Sequence, residues 1–189
     1  TDEHMLLTAE ARWFCRGSVP HPVSEWFHRC EHPPEEQPER VDHYLRRVGT
    51  DSLGVKLREG RLEIKQRYRP GGVVRFHERV AGRVEHWCKW SFPLSSTDGR
   101  FSEGRTLKPF WISVRKRRQV RTYSSSGGKV IALHDGEFVE RGCTLELAEI
   151  QVRGDAWWSV GLEAFGENAA LEETLMLVAR HVVAIGEPP

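Results

Sequence analysis

Few of the features that announce a function are present in this sequence. The 189 residues carry no stretch near the roughly 18 apolar residues needed to cross a bilayer, so no membrane-spanning helix is expected. Thr1 to Leu7 lacks a basic region followed by an apolar segment, which argues against a secretory signal and for a cytoplasmic location. The four cysteines, Cys15, Cys30, Cys88 and Cys143, are far apart, and none sits in a Cys-x-x-Cys pair. That spacing excludes a disulfide framework or a zinc ribbon and leaves small core residues as their role. No internal repeat is visible. No surplus of one charge exists either: 28 Lys and Arg stand against 27 Asp and Glu. A chain so balanced has no global pull on a nucleic-acid backbone or an acidic membrane, so bulk nucleic acid is disfavoured as a partner, and any anion site must come from local placement of charge. Nine histidines are present, but no His-x-x-x-His pair lies on an expected helix, and His28, Cys30 and His32 flank a proline-rich stretch.

What is present is a run of short segments of period two. The composition is globular, and residues 1–189 read as a single domain. Ala9–Arg16 (AEARWFCR) is a first strand, and Ser24–Arg29 a short helix anchored by Trp26 and Phe27. Glu31–Glu39 (EHPPEEQPE) reads as a solvated, acidic, proline-rich loop. Val41–Val48, Gly54–Glu59, Arg61–Tyr68, Val73–Glu78 and Gly82–Phe92 follow as strands, with a tight turn at Glu59–Gly60. Pro93–Lys108 is polar and reads as a long loop. Phe110–Tyr123, Lys129–His134, Cys143–Val152 and Ala156–Phe165 complete the strands. Ala169–Val183 has helical periodicity, with Asn168 placed as its cap and Glu172 and Glu173 in its first turn. Eight or more strands with two helices predict a mainly β (α+β) fold: an antiparallel eight-stranded, tunnel-like barrel with a short helix after the first strand and a C-terminal helix. A sandwich is the rival.

Three strands place cations two residues apart, and hence on one face. Lys56 and Arg58 form the first set; Arg61, Glu63, Lys65 and Arg67 the second; Lys116 and Arg118 the third. The alternate face, with Val55, Leu57, Leu62 and Ile64, is apolar. This pattern permits two arrangements: charged faces in solvent around an ordinary core, or an inside-out barrel whose apolar face is covered from outside. On the long strand Arg115, Arg117 and Arg121 occupy the other face, so its inward side is left open. Glu10, Glu85, Glu146 and Glu163 also lie within predicted strands, where a buried carboxylate requires a cationic partner or a metal. Seven tryptophans, among them Trp87, Trp90, Trp157 and Trp158, leave room for a protein-interaction surface.

The order of these segments resembles the CYTH superfamily, the triphosphate tunnel metalloenzymes. Asp42 and Tyr44 in ERVDHYL resemble its Asp-x-Tyr strand, and Lys56 and Arg58 in VKLRE its Arg-x-Arg strand. Lys65 in LEIKQR and the pair Lys116 and Arg118 in VRKRR resemble its later lysine and Lys-x-Arg strands. Glu149 in LELAEI and Glu163 in GLEAF resemble its acidic positions, and the likeness runs from Glu10 to Phe165. It implies a tunnel in which Lys56, Arg58, Lys65, Arg67, Lys116 and Arg118 cradle a small phosphate-bearing anion. Glu10, Glu146 and Glu163 would hold Mg²⁺ or Mn²⁺, and Lys65 and Arg58 would serve hydrolysis of a triphosphate. The alternative is a binding protein that keeps the tunnel without turnover. The sequence departs from the family at its start: Glu10-Ala11-Arg12-Trp13-Phe14 stands where Glu-x-Glu-x-Lys is characteristic. A C-terminal Glu-x-Glu pattern is likewise reduced to Glu163-Ala164-Phe165. These losses weaken a metal site more than an anion site. No adenine-reading motif and no dimerisation signature is present, so the sequence does not specify the ligand or the oligomeric state.

Overall fold

The computed structural model describes residues 4–29, 31–94, 110–134 and 136–186. Its main body is a closed antiparallel barrel. The strands are β1 (His4–Arg16), β2 (Glu35–Leu45), β3 (Leu53–Arg58), β4 (Arg61–Arg69), β5 (Val73–Arg75), β6 (Ala81–Arg83), β7 (Glu85–Pro93), β8 (Trp111–Ser126), β9 (Lys129–Ala132), β10 (Gly142–Val152) and β11 (Asp155–Phe165). The helices are α1 (His21–Arg29) and α2 (Leu171–Ile185). Neighbours run β10-β11-β1-β7-β4-β3-β2-β8, and β8 returns to β10 through eleven paired positions, from Gly142 opposite Ser124 to Val152 opposite Val114. Eight strands thus close on themselves, and closure removes the unpaired edges that a sandwich would keep. The short β9 extends β8 beyond the ring, and β5 and β6 form a separate two-stranded sheet.

The alternating pattern resolves to the inside-out arrangement. Along β10, Cys143, Leu145 and Leu147 point outward and are buried, whereas Glu146, Ala148 and Ile150 line the interior. The apolar core therefore lies between the outer wall of the barrel and the two helices. Ala9, Ala11, Leu162 and Ala164 of the wall meet Val23 and Phe27 of α1 and Leu171, Leu175, Val178 and Val182 of α2. Small residues at Ala9, Ala11 and Ala164 let helix and sheet approach closely. Arg121, on the outer face of β8, donates from Nε and Nη2 to the Phe27 carbonyl at 3.2 and 2.9 Å. That carbonyl is in the last turn of α1, where a cation is favoured. Trp26 donates its indole N–H to the Gly186 carbonyl at 2.7 Å, tying α1 to the end of α2. Among the described residues, no helix is long and apolar enough to cross a membrane.

Several boundaries differ from expectation. β2 begins at Glu35, inside the predicted acidic loop, because Glu35–Gln37 pair with β8 and a bulge between Gln37 and Arg40 absorbs Pro38, which has no N–H to give a ladder. It ends at Leu45, short of Val48. The helix predicted from Ser24 starts at His21. The single strand expected over Gly82–Phe92 is two, divided at the buried Val84, which leaves the β5–β6 ribbon beside the barrel. Val73–Glu78 shortens to Val73–Arg75, and Lys129–His134 to Lys129–Ala132. β8 runs on to Ser126, three residues past its predicted end at Tyr123, so the chain reverses at Gly127 and Gly128. Asn168 is not the cap of α2: it lies in a 3₁₀ turn, and its Oδ1 accepts from the Tyr68 hydroxyl at 3.0 Å. The turn at Glu59–Gly60 forms as expected, with φ of 48° and 71°, the left-handed pair that a two-residue hairpin loop requires. Most of the predicted Pro93–Lys108 loop lies outside the described residues.

Candidate functional site

The barrel interior holds a cavity of about 830 Å³, within the roughly 300–1,000 Å³ typical of ligand sites. Nine cationic side chains line it against five glutamates, in a chain whose overall surplus is one charge. The charge is also polarised around the ring. The adjacent strands β3, β2 and β8 contribute Lys56, Arg58, Arg40, Lys116 and Arg118. All five lining glutamates come from the other side: Glu146 on β10, Glu163 on β11, Glu10 on β1, Glu85 on β7 and Glu63 on β4. β1 stands four strands from β2 in either direction around the ring, directly across the barrel.

On the cationic wall Asp42 is fully buried and acts as a shared counter-ion. Arg40 Nε lies 3.2 Å from Asp42 Oδ1, while Lys56 and Lys116 lie 3.8 and 3.9 Å from Oδ2. Lys116 donates to the Tyr44 hydroxyl at 2.7 Å, and that hydroxyl donates to Asp42 at 3.4 Å. Glu63, reaching from β4, takes Lys56 at 2.9 Å and Arg58 at 2.6 Å. Asp42 and Glu63 are two carboxylates against the four cations they meet, Arg40, Lys56, Arg58 and Lys116, so burial on this wall is not fully offset. Burial, with the neighbouring Lys56 adding to it, pushes Lys116 down to about 8. Lys56 is lowered by burial and by Arg58, and Arg40 by burial with Arg118 and Arg58 beside it. Burial also raises the Tyr44 phenol, reinforced by Asp42. The wall is short of negative charge.

The acidic side is balanced by the chain itself. Glu10 accepts from Lys65 and from Thr8, the latter at 2.8 Å, and pairs with Lys89 at 3.0 Å. Lys89 reaches Glu163 as well, at 2.6 Å. Burial alone would raise Glu10, but Lys89 and Lys65 together pull it down to about 2. Lys65 is lowered by burial, whereas Lys89, held between two carboxylates, is raised despite burial. Glu146 takes Arg12 at 2.6 Å and Arg118 at 3.0 Å, and against burial these hold it at about 2. Trp87 lines the interior next to Lys65, whose ammonium sits 4.4 Å from the ring centre.

Of the residues singled out from sequence, Lys56, Arg58, Lys65, Lys116, Arg118, Glu10, Glu146 and Glu163 all line the one cavity. Arg67 does not: it is drawn aside by Glu85 and by Asp51, the latter at 2.7 Å. Glu149 is exposed on the outer face, the parity opposite to Glu146. The three carboxylates expected to hold a metal are not grouped for it. Glu10 and Glu163 are register partners on β1 and β11, but Lys89 stands between them, and Glu146 is enclosed by two guanidinium groups. Among the described residues no cluster of three or more His, Cys, Asp and Glu side chains is placed to hold a metal ion. Mg²⁺ or Mn²⁺ therefore does not fit this arrangement of side chains. His32 meets the ring of His134 at 4.1 Å between centroids, and Cys30 lies outside the described residues.

Four lining cations were not among the expected site residues: Arg12, Arg40, Arg83 and Lys89. Arg12 shares the inward parity of Glu10, and Lys89 that of Glu85 and Trp87, so the period-two signal was present in both strands. Arg40 was masked by the proline-rich segment that precedes it. No family model matches the chain, and no curated protein is detectably similar to it.

Proposed function

We propose that the tunnel binds a small phosphate-bearing anion of triphosphate or polyphosphate type. The observation that carries this reading is the convergence of Arg40, Lys56, Arg58, Lys116 and Arg118 from three adjacent strands on one cavity, with Asp42 as the only acid among their own strands to pair with them. Crowded cations at low water content repel one another and pay for their burial; an anion with several charges relieves both costs at once. Phosphate oxygens suit this wall: the guanidinium groups of Arg58 and Arg118 offer paired donors, and Lys56 and Lys116 act as point charges. The protein-interaction alternative rested on the tryptophans; Trp87 is buried and Trp90, Trp157 and Trp158 are half-buried, which lends it little support.

Turnover is a second reading, supported by one feature. Glu85, Glu10 and Glu163 are direct register partners across β7, β1 and β11, so carboxylates and the phosphate-binding cations face one another across the cavity. In that reading Lys65 and Arg58 stabilise charge on the departing phosphate. Mg²⁺ or Mn²⁺ would first have to displace the chain's own ammonium groups. The deciding experiment measures phosphate release from a panel of triphosphates with Mg²⁺ or Mn²⁺, alongside direct titration of tripolyphosphate. Micromolar binding without phosphate release supports a binding protein. Release that is lost in Lys65→Ala and Arg58→Ala supports the enzyme, and neither binding nor release removes both readings.

A further inference from the structure

Arg12 occupies a seat made for it. Gly161 is the register partner of both Arg12 on β1 and Glu146 on β10, so the three positions form one row on the inner wall. A Cβ at Gly161 would lie 2.5 Å from Arg12 Cζ, so a side chain there would push the guanidinium out of its present position. The missing side chain is therefore the floor on which the guanidinium lies. From there its Nη1 group donates to Glu146 Oε1 at 2.6 Å and to Ser159 Oγ at 3.2 Å. Glu146 gives its second oxygen to Arg118, on the cationic wall, at 3.0 Å. Two guanidinium groups thus share one carboxylate and carry a net positive charge from β1 across to β8.

A divalent cation needs carboxylate oxygens that are free to coordinate. In this interior Glu10, Glu63 and Glu146 are each engaged at both oxygens by tethered cations, and Glu163 holds Lys89 through one of its own; a metal would have to expel these cations into a cavity already rich in positive charge. The counter-charge a polyphosphate requires is in place before any metal arrives. We infer that the tunnel takes its phosphate-bearing anion as the free anion, without a divalent metal, and that Arg12, seated on Gly161, supplies part of the positive charge that holds it. This rests on the anion-binding reading and adds to it a binding residue and a metal-free mode. The positive charge on Arg12 is secured by Glu146, which outweighs its burial.

The test is calorimetric titration of the whole chain with tripolyphosphate, once in EDTA and once in excess Mg²⁺. Affinity in EDTA is expected to equal or exceed that in Mg²⁺, because the metal competes for the same phosphate oxygens. Arg12→Gln, checked for an unchanged circular dichroism spectrum, is expected to bind about tenfold or more weakly in EDTA, the cost of losing one charge-assisted contact. Gly161→Ala keeps the charge but displaces the guanidinium, and a smaller loss in the same direction is expected. Binding that vanishes in EDTA and returns with Mg²⁺ overturns the metal-free mode. Unchanged affinity in Arg12→Gln overturns the role of Arg12. Absence of binding in both buffers instead overturns the anion-binding reading itself, so the failures are distinguishable.

Discussion

Replacing Lys116 with methionine should make the empty protein more stable and the anion bind less well. The side chain is 20% exposed, and its ammonium is held down to about 8 from 10.5, chiefly by burial. A depression of that size places roughly 3 kcal/mol of penalty on the charged form at neutral pH. Methionine keeps the length of the side chain and removes the charge. Against this gain stands the loss of the Tyr44 contact and of one partner for Asp42, which retains Arg40 and Lys56. A net stabilisation on the order of 1–3 kcal/mol is expected, large beside the 5–15 kcal/mol of a typical domain. The sign of the pH dependence follows. The unfolded chain holds this proton more tightly than the folded one, so the penalty is present below about pH 8 and is relieved as pH rises toward 10.5. Urea denaturation of wild type and Lys116→Met between pH 7 and 10 should show the stability gap closing across that window. Saturating tripolyphosphate should reverse the order at neutral pH. A variant destabilised by more than about 1 kcal/mol at pH 7 without ligand would mark Lys116 as an ordinary structural ion-pair partner, and the reasoning would fail.

Glu10→Gln leaves Lys65 and Lys89 without their shared carboxylate and is expected to cost about 3–5 kcal/mol, read from urea midpoints. The wild-type Glu10 carboxylate is held at about 2, so its stabilisation is complete above about pH 4.5 and is lost as pH falls toward 2; the variant should lack that part of the acid-unfolding curve. Lys56→Met with Arg58→Met should weaken tripolyphosphate binding by about a hundredfold or more in a low-salt titration, while circular dichroism stays unchanged. Leu175→Ala, in the core outside the barrel, should cost about 2–5 kcal/mol by urea denaturation yet leave anion affinity in the folded protein within about twofold.

How far the sequence reaches depends on what each residue reveals locally. Period-two alternation placed the strands, and the Glu59–Gly60 pair marked its hairpin because its left-handed φ angles are a local demand. The helical spacing of Leu171, Leu175, Val178 and Val182 marked α2 for the same reason. Alternation says that Lys56 and Leu57 face opposite ways; it is silent on which way is in. That was decided by α1 and α2 packing on the Leu145 and Leu162 side, a tertiary choice absent from any single strand. The cation sets around Lys56, Lys65 and Lys116 were readable as repeats within one strand. Arg12 and Lys89 share the parity of Glu10 and Glu85, but neither belongs to a pair of cations two residues apart, and each takes its meaning from partners on other strands: Glu146 for Arg12, Glu10 and Glu163 for Lys89. Arg67 shows the converse error. It has the correct parity, but Glu85 and Asp51 draw it aside. A buried carboxylate in a strand calls for either a cation or a metal, and the resemblance favoured the metal for Glu10 and Glu163; the Lys89 ammonium lodged between them takes the cationic option instead.

The most direct measurement is a crystal structure of the protein grown with tripolyphosphate. Phosphate density inside the barrel, against Lys56, Arg58, Lys116 and Arg118, is the result this account requires. Phosphate density confined to the outer face, beside the exposed Arg115 and Arg117, with none inside the barrel, would contradict it.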